Sequence, residues 1–437
     1  MKTAPRIRIH LAQTLVIAIC LIFSAVSCFP EALPASKPLP SESFRNMLDD
    51  HPEIELLLRM SIRNAAEINP DRATNPVQTI DEIYDFIDYS VTCMPWNIMP
   101  EERYSNFATK CDQSILYLYW LMDQPLEALE GRGLFYPSVE YLEPVYMWLT
   151  EYNNTWRDYL DTTDSWQPEY YEMLLKDPSW NLDKGWYEAS ENWHSFNDFF
   201  SRSLSGPDAR PISEPEDDSV VIAPADSLPQ GVWRIDADGR FEADPIKKED
   251  GVIIKDSCFI SVEDLLGEEG SAYASLFHGG YLTHTYLNYD DYHRYHSPVS
   301  GTVRAVYIIP YANAVGGIVY WEPSTQLYVL ESNSLSWQSF ETRGVLLIET
   351  EDYGMAALIP VGMGQVSSVN FLDVLRPGTR IKKGDEVGYF LFGGSDCVML
   401  FEAQSGFALT AAEGGEGSYS AGYAHVFCRE EYGRLGQ

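Results

Sequence analysis

Basic residues are scarce in this 437-residue chain: 30 Lys and Arg stand against 65 Asp and Glu, for a formal net charge of −35 and a pI near 4.4. A surface this acidic repels the phosphates of nucleic acids and of anionic bilayers, so DNA and RNA are not expected partners. Cysteine is thin, seven residues with no C-x-x-C pair, which argues against a structural zinc site or a disulfide scaffold. No H-E-x-x-H, no G-x-G-x-x-G and no Walker loop occurs, so zinc peptidases and nucleotide-binding α/β folds lack their signatures here. Long apolar runs are missing as well. The apolar stretch Leu11–Phe23 is short of the roughly 20 residues a membrane span needs, and a multi-span membrane protein is excluded. What is present is an ordinary globular balance of 45% hydrophobic and 22% charged residues, enough for a sizeable core.

Lys2, Arg6 and Arg8 precede that apolar stretch, and small residues follow up to Ser24-Ala25-Val26-Ser27-Cys28. This is the layout of an export signal over 1–27, with cleavage after Ser27. Ala-Val-Ser-Cys also resembles a bacterial lipobox, in which Cys28 would carry a lipid anchor. Plain secretion and an uncleaved anchor stand beside that reading. The expected location is periplasmic or cell-envelope, as a membrane-anchored lipoprotein if Cys28 is lipidated. Removing 1–27 takes away three bases and no acid, so export leaves a still more acidic protein. Residues 28–42 are Pro-rich and read as an extended tether.

From 43 to 204 the pattern is helical. Ile54, Leu57, Leu58 and Ile62 fall at helical spacing, and Ile80, Ile83, Ile87 and Val91 form a second stripe with acids between them. Eight of the eleven tryptophans lie between Trp96 and Trp193, marking a core built on large aromatics. Cys93 and Cys111 are close enough in sequence to bridge if exported, with two free thiols as the other reading. The character changes at Ser205-Gly206-Pro207. Short β-type runs follow at 220–222, 252–254, 303–309, 345–349 and 387–392, with one helix expected over Ser261–Leu266 behind a capping-box opening. The fold class expected is α+β, a helical domain over 43–204 followed by a β-rich, mostly antiparallel domain over 205–437.

Half of the eight histidines fall between His278 and His296, densest in Asp291-Tyr292-His293-Arg294-Tyr295-His296-Ser297-Pro298. Pro298 and Gly301 argue for a strand or turn here, and no third ligand stands at metal-site spacing, so no metal is assigned. The bland reading is a packed β-turn. The second feature is Phe392-Gly393-Gly394-Ser395, a serine after two glycines at the end of an apolar strand, where the backbone is expected to be accessible. Such a serine is a nucleophile if a base lies near it, and otherwise an ordinary turn residue.

Together the two segments resemble the phosphatidylserine decarboxylase family. Supporting stretches occur in matching order: Phe196-Asn197-Asp198-Phe199-Phe200-Ser201-Arg202, Arg210-Pro211, Ala223-Pro224-Ala225-Asp226, Leu265-Leu266-Gly267, Gly279-Gly280 and the two segments themselves. The resemblance covers roughly 195–408, and the helical region is similar to an N-terminal domain fused to soluble amino-acid decarboxylase members. It implies a self-processing enzyme. Ser395 attacks the Gly394 carbonyl, the chain parts between Gly394 and Ser395, and a covalent pyruvoyl group remains where Ser395 stood. The products are a large chain ending at Gly394 and a small chain, 395–437. Asp226 and His296 match the pair that activates the serine, and His293 matches the acid that returns a proton to substrate or places its carboxylate. The implied reaction is removal of the α-carboxylate of an amino-acid group, phosphatidylserine being the family substrate, with a homodimer left open.

Departures from the family pattern keep alternatives in play. The family has Thr or Ser after the serine, where this chain has Asp396, and a carboxylate beside the scissile bond opposes a developing oxyanion. A processing-dead, non-enzymatic relative is one alternative. Asn333-Ser334-Leu335 stands where membrane-acting members carry Asn-Glu-Arg, and Val361–Ser368 is more similar to the soluble branch. Decarboxylation of a free, aromatic amino acid is therefore the other. Turns such as Pro298-x-x-Gly301 also resemble lipoyl-type β-domains, but no lysine sits on a suitable turn.

Overall fold

Apolar residues at helical spacing become helices in the computed structural model, which describes residues 39–437 except 100–103, 105–106, 135, 243–250, 255–256, 311–317, 332–341, 364–367 and 415–420. The export signal, Cys28, most of the tether and Asn333-Ser334-Leu335 lie outside the described residues. Helices α1 (Pro40–Asp50), α2 (Pro52–Ile68), α3 (Ile80–Ser90), α4 (Phe107–Met122), α5 (Glu143–Leu160), α6 (Pro168–Leu174) and α7 (Phe196–Phe200) come first. Pro40 and Pro52 open their helices, where a missing N–H costs nothing. Thr79 caps α3 by accepting from the Glu82 N–H. Both apolar stripes, Ile54/Leu57/Leu58/Ile62 and Ile80/Ile83/Ile87/Val91, are buried. Cys93 and Cys111 are free thiols, Cys111 buried on α4.

Beyond residue 205 the regular structure is mostly strand, with a kinked helical stretch, α8 (Val262–Ala274). Ser261 caps α8 by accepting from the Asp264 N–H at 3.1 Å. Gly267, at φ 67° and ψ −174°, is not helical and divides this stretch into two segments, so the first segment ends at Leu266 as the sequence suggests. The strands in chain order are β1 (Val220–Ile222), β2 (Leu228–Arg234), β3 (Val252–Ile254), β4 (Ser257–Phe259), β5 (Tyr281–Leu287) and β6 (Arg294–His296). Next come β7 (Gly301–Ile309), β8 (Ile318–Glu322), β9 (Leu327–Glu331), β10 (Thr342–Glu349), β11 (Met355–Met363) and β12 (Val369–Phe371). The last are β13 (Arg380–Ile381), β14 (Glu386–Phe390), β15 (Gly394–Phe401), β16 (Ala408–Leu409) and β17 (Glu431–Arg434). A seven-stranded sheet in the order β13-β7-β10-β11-β15-β5-β2 is antiparallel at every pairing. The fold is α+β, helices first and antiparallel sheets after.

Alternation along the central strands sends side chains into two cores. Leu346, Ile348, Leu358, Cys397, Met399 and Phe401 pack on one face of the large sheet. Val345, Leu347, Ala357, Ile359, Val398 and Leu400 pack on the other, beneath α8. Because both faces are covered, these strands read as continuous apolar runs in the sequence. The β8–β9 hairpin docks on α4, where the Gln113 amide donates to the Tyr328 carbonyl at 2.9 Å and accepts from its N–H at 2.7 Å. No helix among the described residues is long and apolar enough to cross a membrane.

Candidate active site

Ser395 is the second residue of β15, which is flanked on both sides, Ser395 standing opposite Gly362 on β11 and Leu287 on β5. It is only 1% exposed, so the open backbone expected from the sequence is not what the fold provides. The reason is that Gly393-Gly394 leads into the middle of the large sheet and not to its rim. Gly393 adopts φ 151°, a conformation that a side chain would disfavour, and the Ser395 hydroxyl donates back to the Gly393 carbonyl at 3.4 Å.

The turn before Ser395 is clamped by α7. Ser195 and Asp198 form a reciprocal capping box that fixes this short helix. The buried Asn197 side chain accepts the Phe392 N–H at 3.1 Å and donates to Asp161 at 2.7 Å. The Phe392 ring packs against Trp156, Phe196, Phe200 and Tyr289, with centroids 5.3–5.8 Å away.

His293 is brought to this same turn. Its ring stacks on Phe200 at 3.8 Å, and Phe200 in turn meets Phe392. Its carbonyl accepts the Phe390 N–H at 2.9 Å, tying the histidine segment to the strand that leads into the turn. Nδ1 donates to the Asp291 carbonyl at 2.9 Å, which fixes the ring's orientation.

His296 and Asp226 share one buried cluster without touching each other through a hydrogen bond. The His296 N–H donates to the Pro224 carbonyl at 2.8 Å, which sets the histidine beside the Asp226 segment. Its ring Nδ1 faces the Gly384 carbonyl at 2.9 Å and its Nε2 faces the Tyr292 hydroxyl at 3.1 Å. Burial depresses its pKa to about 3, so the ring is neutral and Nε2 is an acceptor. The Asp226 carboxylate instead takes the Arg210 guanidinium and the Cys428 N–H, the latter at 2.8 Å. Arg210 also lies over the Tyr292 ring at 5.2 Å, so aspartate and histidine are linked through Arg210 and Tyr292. A serine-protease-like Asp–His bond, the arrangement a triad would need, is replaced by this longer relay.

Several residues in the cluster carried no sequence signal of their own. His425 pairs with Asp291 at 2.9 Å. Burial raises the Asp291 carboxyl, and although burial also works against a charged His425, the Asp291 carboxylate outweighs it and raises the histidine. His425 lies 132 positions beyond His293 in an otherwise featureless stretch. Arg202 is fully buried, donates to the Asp290 and Asp291 carbonyls and lies over the Tyr187 ring at 4.4 Å. It was visible only as the end of the Phe196–Arg202 stretch. Burial pushes the Cys428 thiol up, so it is an inert neighbour of Asp226.

A family model described as phosphatidylserine decarboxylase matches residues 196–423. Phosphatidylserine decarboxylase proenzyme 2 of Oryza sativa subsp. japonica is 33% identical over 235 residues, 54% of this chain and 33% of its own length. Decarboxylase iboD of Amanita muscaria is 30% identical over 228 residues, 50% of this chain and 61% of its own. A phosphatidylserine decarboxylase proenzyme of Chlamydia trachomatis serovar D is 31% identical over 214 residues, 49% of this chain and 61% of its own. The chain thus spans between a third and about three fifths of these curated relatives, and the family match covers Asp226, His293, His296 and Ser395 while His425 and Cys428 lie just beyond it.

Proposed function

The chain belongs to the phosphatidylserine decarboxylase family, and on that premise we propose that it is a carboxy-lyase that matures by cutting itself between Gly394 and Ser395. The observation that carries this reading is the clamped turn. Phe392 is held by Asn197 and Phe200, the adjoining Gly393 takes a strained φ, and His293 is stacked within the same aromatic group. A peptide bond held rigidly beside its own serine hydroxyl is preorganised for intramolecular attack.

In the maturation step the Ser395 hydroxyl loses its proton and Oγ bonds to the Gly394 carbonyl carbon. The Gly394–Ser395 C–N bond breaks, and the freed nitrogen takes up a proton. Loss of the Ser395 α-proton then expels Gly394 as a carboxylate, and water replaces the nitrogen as ammonia leaves. The residues fit a pyruvoyl group made this way, because Ser395 is buried, away from bulk water, and its hydroxyl lies on the side of the chain that would part from it. Once formed, that group supplies a carbonyl that accepts the electron pair released with CO2. Asp226 and His296 are the pair proposed to activate Ser395, and His293, stacked beside the turn, is proposed to hold or return a proton near residue 395.

Phosphatidylserine is the substrate proposed first, from the names of the matched family and relatives. A free amino acid is the second reading, favoured by a cavity of about 160 Å³ in the helical region. Trp96, Phe107 and Trp180 wall it, and Lys110 and Asp177 supply the opposite charges that a zwitterion would meet. Trp96 packs on Phe196 and Phe196 on Phe392, which places the cavity one aromatic layer from the turn. CO2 release from phosphatidylserine vesicles, compared with free Trp, Tyr and Ser, tests both. Release from at least one of them, abolished by Ser395→Ala, is expected. No release from any by the cleaved protein overturns the reading.

A further inference from the structure

Asp396 follows the scissile serine directly and is only 1% exposed. A carboxylate taken out of water needs a counter-charge or a proton. Its side-chain partner is His284, whose Nδ1 lies 3.4 Å from Asp396 Oδ1 and which is itself buried. Strand geometry explains the meeting. On β15, residues 395, 397, 399 and 401 face one side of the sheet, and 396, 398 and 400 face the other. His284 stands opposite Val398 on the neighbouring β5, and Asp396 opposite Tyr286, so histidine and aspartate are diagonal neighbours on one face. Trp233 on β2 stacks over the His284 ring at 5.1 Å and fixes it there. The Ser395 hydroxyl lies on the opposite face. Asp396 therefore does not reach that hydroxyl as a base, yet its carboxyl sits two residues from the Gly394 carbonyl on which an oxyanion must develop.

We propose that His284 is the positioning residue that lets this chain cut itself despite an acid at 396: it cancels the Asp396 charge behind the Gly394–Ser395 bond and holds the carboxylate away from the reacting carbonyl. This rests on the self-cleavage reading. With one proton held between the imidazole and the carboxylate, the pair carries no net charge. It donates no atom to the reaction and acts only on the electrostatics of the scissile bond. Without His284, the carboxylate beside a developing negative charge loses the one side-chain partner it has among the described residues.

The test follows chain splitting of the full-length protein after cell-free synthesis, on denaturing gels, for wild type, His284→Asn, Asp396→Asn and the double variant. His284→Asn keeps a hydrogen-bonding group near Nδ1 and removes the ability to carry charge. The expected result is splitting at least tenfold slower in His284→Asn and restored to within about threefold of wild type in the double variant, with Asp396→Asn as fast as wild type. Rescue by a second neutral residue separates charge compensation from packing, because a mere packing defect at His284 is not repaired at 396. A His284→Asn variant that splits at the wild-type rate, or a double variant as slow as His284→Asn, overturns the inference while leaving self-cleavage standing. A wild-type chain that stays whole overturns self-cleavage itself. If Asp396→Asn then splits, His284 does not compensate the acid.

Discussion

The side-chain oxygen of Asn197 accepts the backbone N–H of Phe392 at 3.1 Å, three residues before Ser395 and across 195 positions of sequence. That one contact couples a short capped helix to the bond proposed to break. Replacing Asn197 by Leu orphans a buried N–H, at a cost of about 1–3 kcal/mol. Thermal melts of Asn197→Leu are expected to fall, and chain splitting to slow by roughly tenfold or more. Splitting at the wild-type rate means the clamp is not part of the machinery.

Gly393, at φ 151°, occupies backbone space that an alanine enters at a cost of about 1–3 kcal/mol. Gly393→Ala is expected to relax the turn and slow splitting, with little loss of overall secondary structure by circular dichroism. Gly378→Ala, at a positive φ in an open surface turn with nothing within 4 Å of the added carbon, is the control for strain alone.

Arg210 and Asp226 are 4% and 1% exposed in their side chains, so each leaves the other as a bare buried charge when removed. Arg210→Met is expected to lower stability by about 3–5 kcal/mol in denaturant titration. Arg210→Met with Asp226→Asn is expected to recover much of that loss, since the Cys428 N–H still meets a neutral acceptor. An Arg210→Met protein as stable as wild type contradicts the buried pairing.

Acid titration probes His296. Its folded pKa is depressed to about 3 by burial, below the ordinary histidine value, so the unfolded chain binds a proton that the folded one refuses. The stability tied to the neutral ring is complete above about pH 6.5 and is lost as pH falls toward 3, at about 1.4 kcal/mol per pH unit. His296→Asn is expected to flatten that part of the pH–stability curve relative to wild type. Parallel curves for the two proteins contradict a buried neutral ring.

Much of this was legible in the sequence, for physical reasons that can be named. The stripes at Ile54–Ile62 and Ile80–Val91 announce one-sided helices, the run at 345–349 announces a strand covered on both faces, and the run at 303–309 a strand with one face partly open. Ser395, His293, His296 and Asp226 stood out because short motifs surround them. The burial of Ser395 was not legible, because a Gly-Gly-Ser stretch looks the same at a rim and in the centre of a sheet. Neither was the choice of partners. Nothing local says that Asp226 meets Arg210 and Cys428, that His425 returns to Asp291, or that His284 lies diagonal to Asp396. Those pairings are set by strand register and long-range closure, which are properties of the folded chain.

The most direct measurement is the intact mass, under denaturing conditions, of the purified wild-type protein and of Ser395→Ala. The account predicts two wild-type chains that part between Gly394 and Ser395, the smaller one blocked at its first residue and bearing a reactive carbonyl, and one whole chain for Ser395→Ala. A wild-type protein that remains a single uncut chain contradicts it.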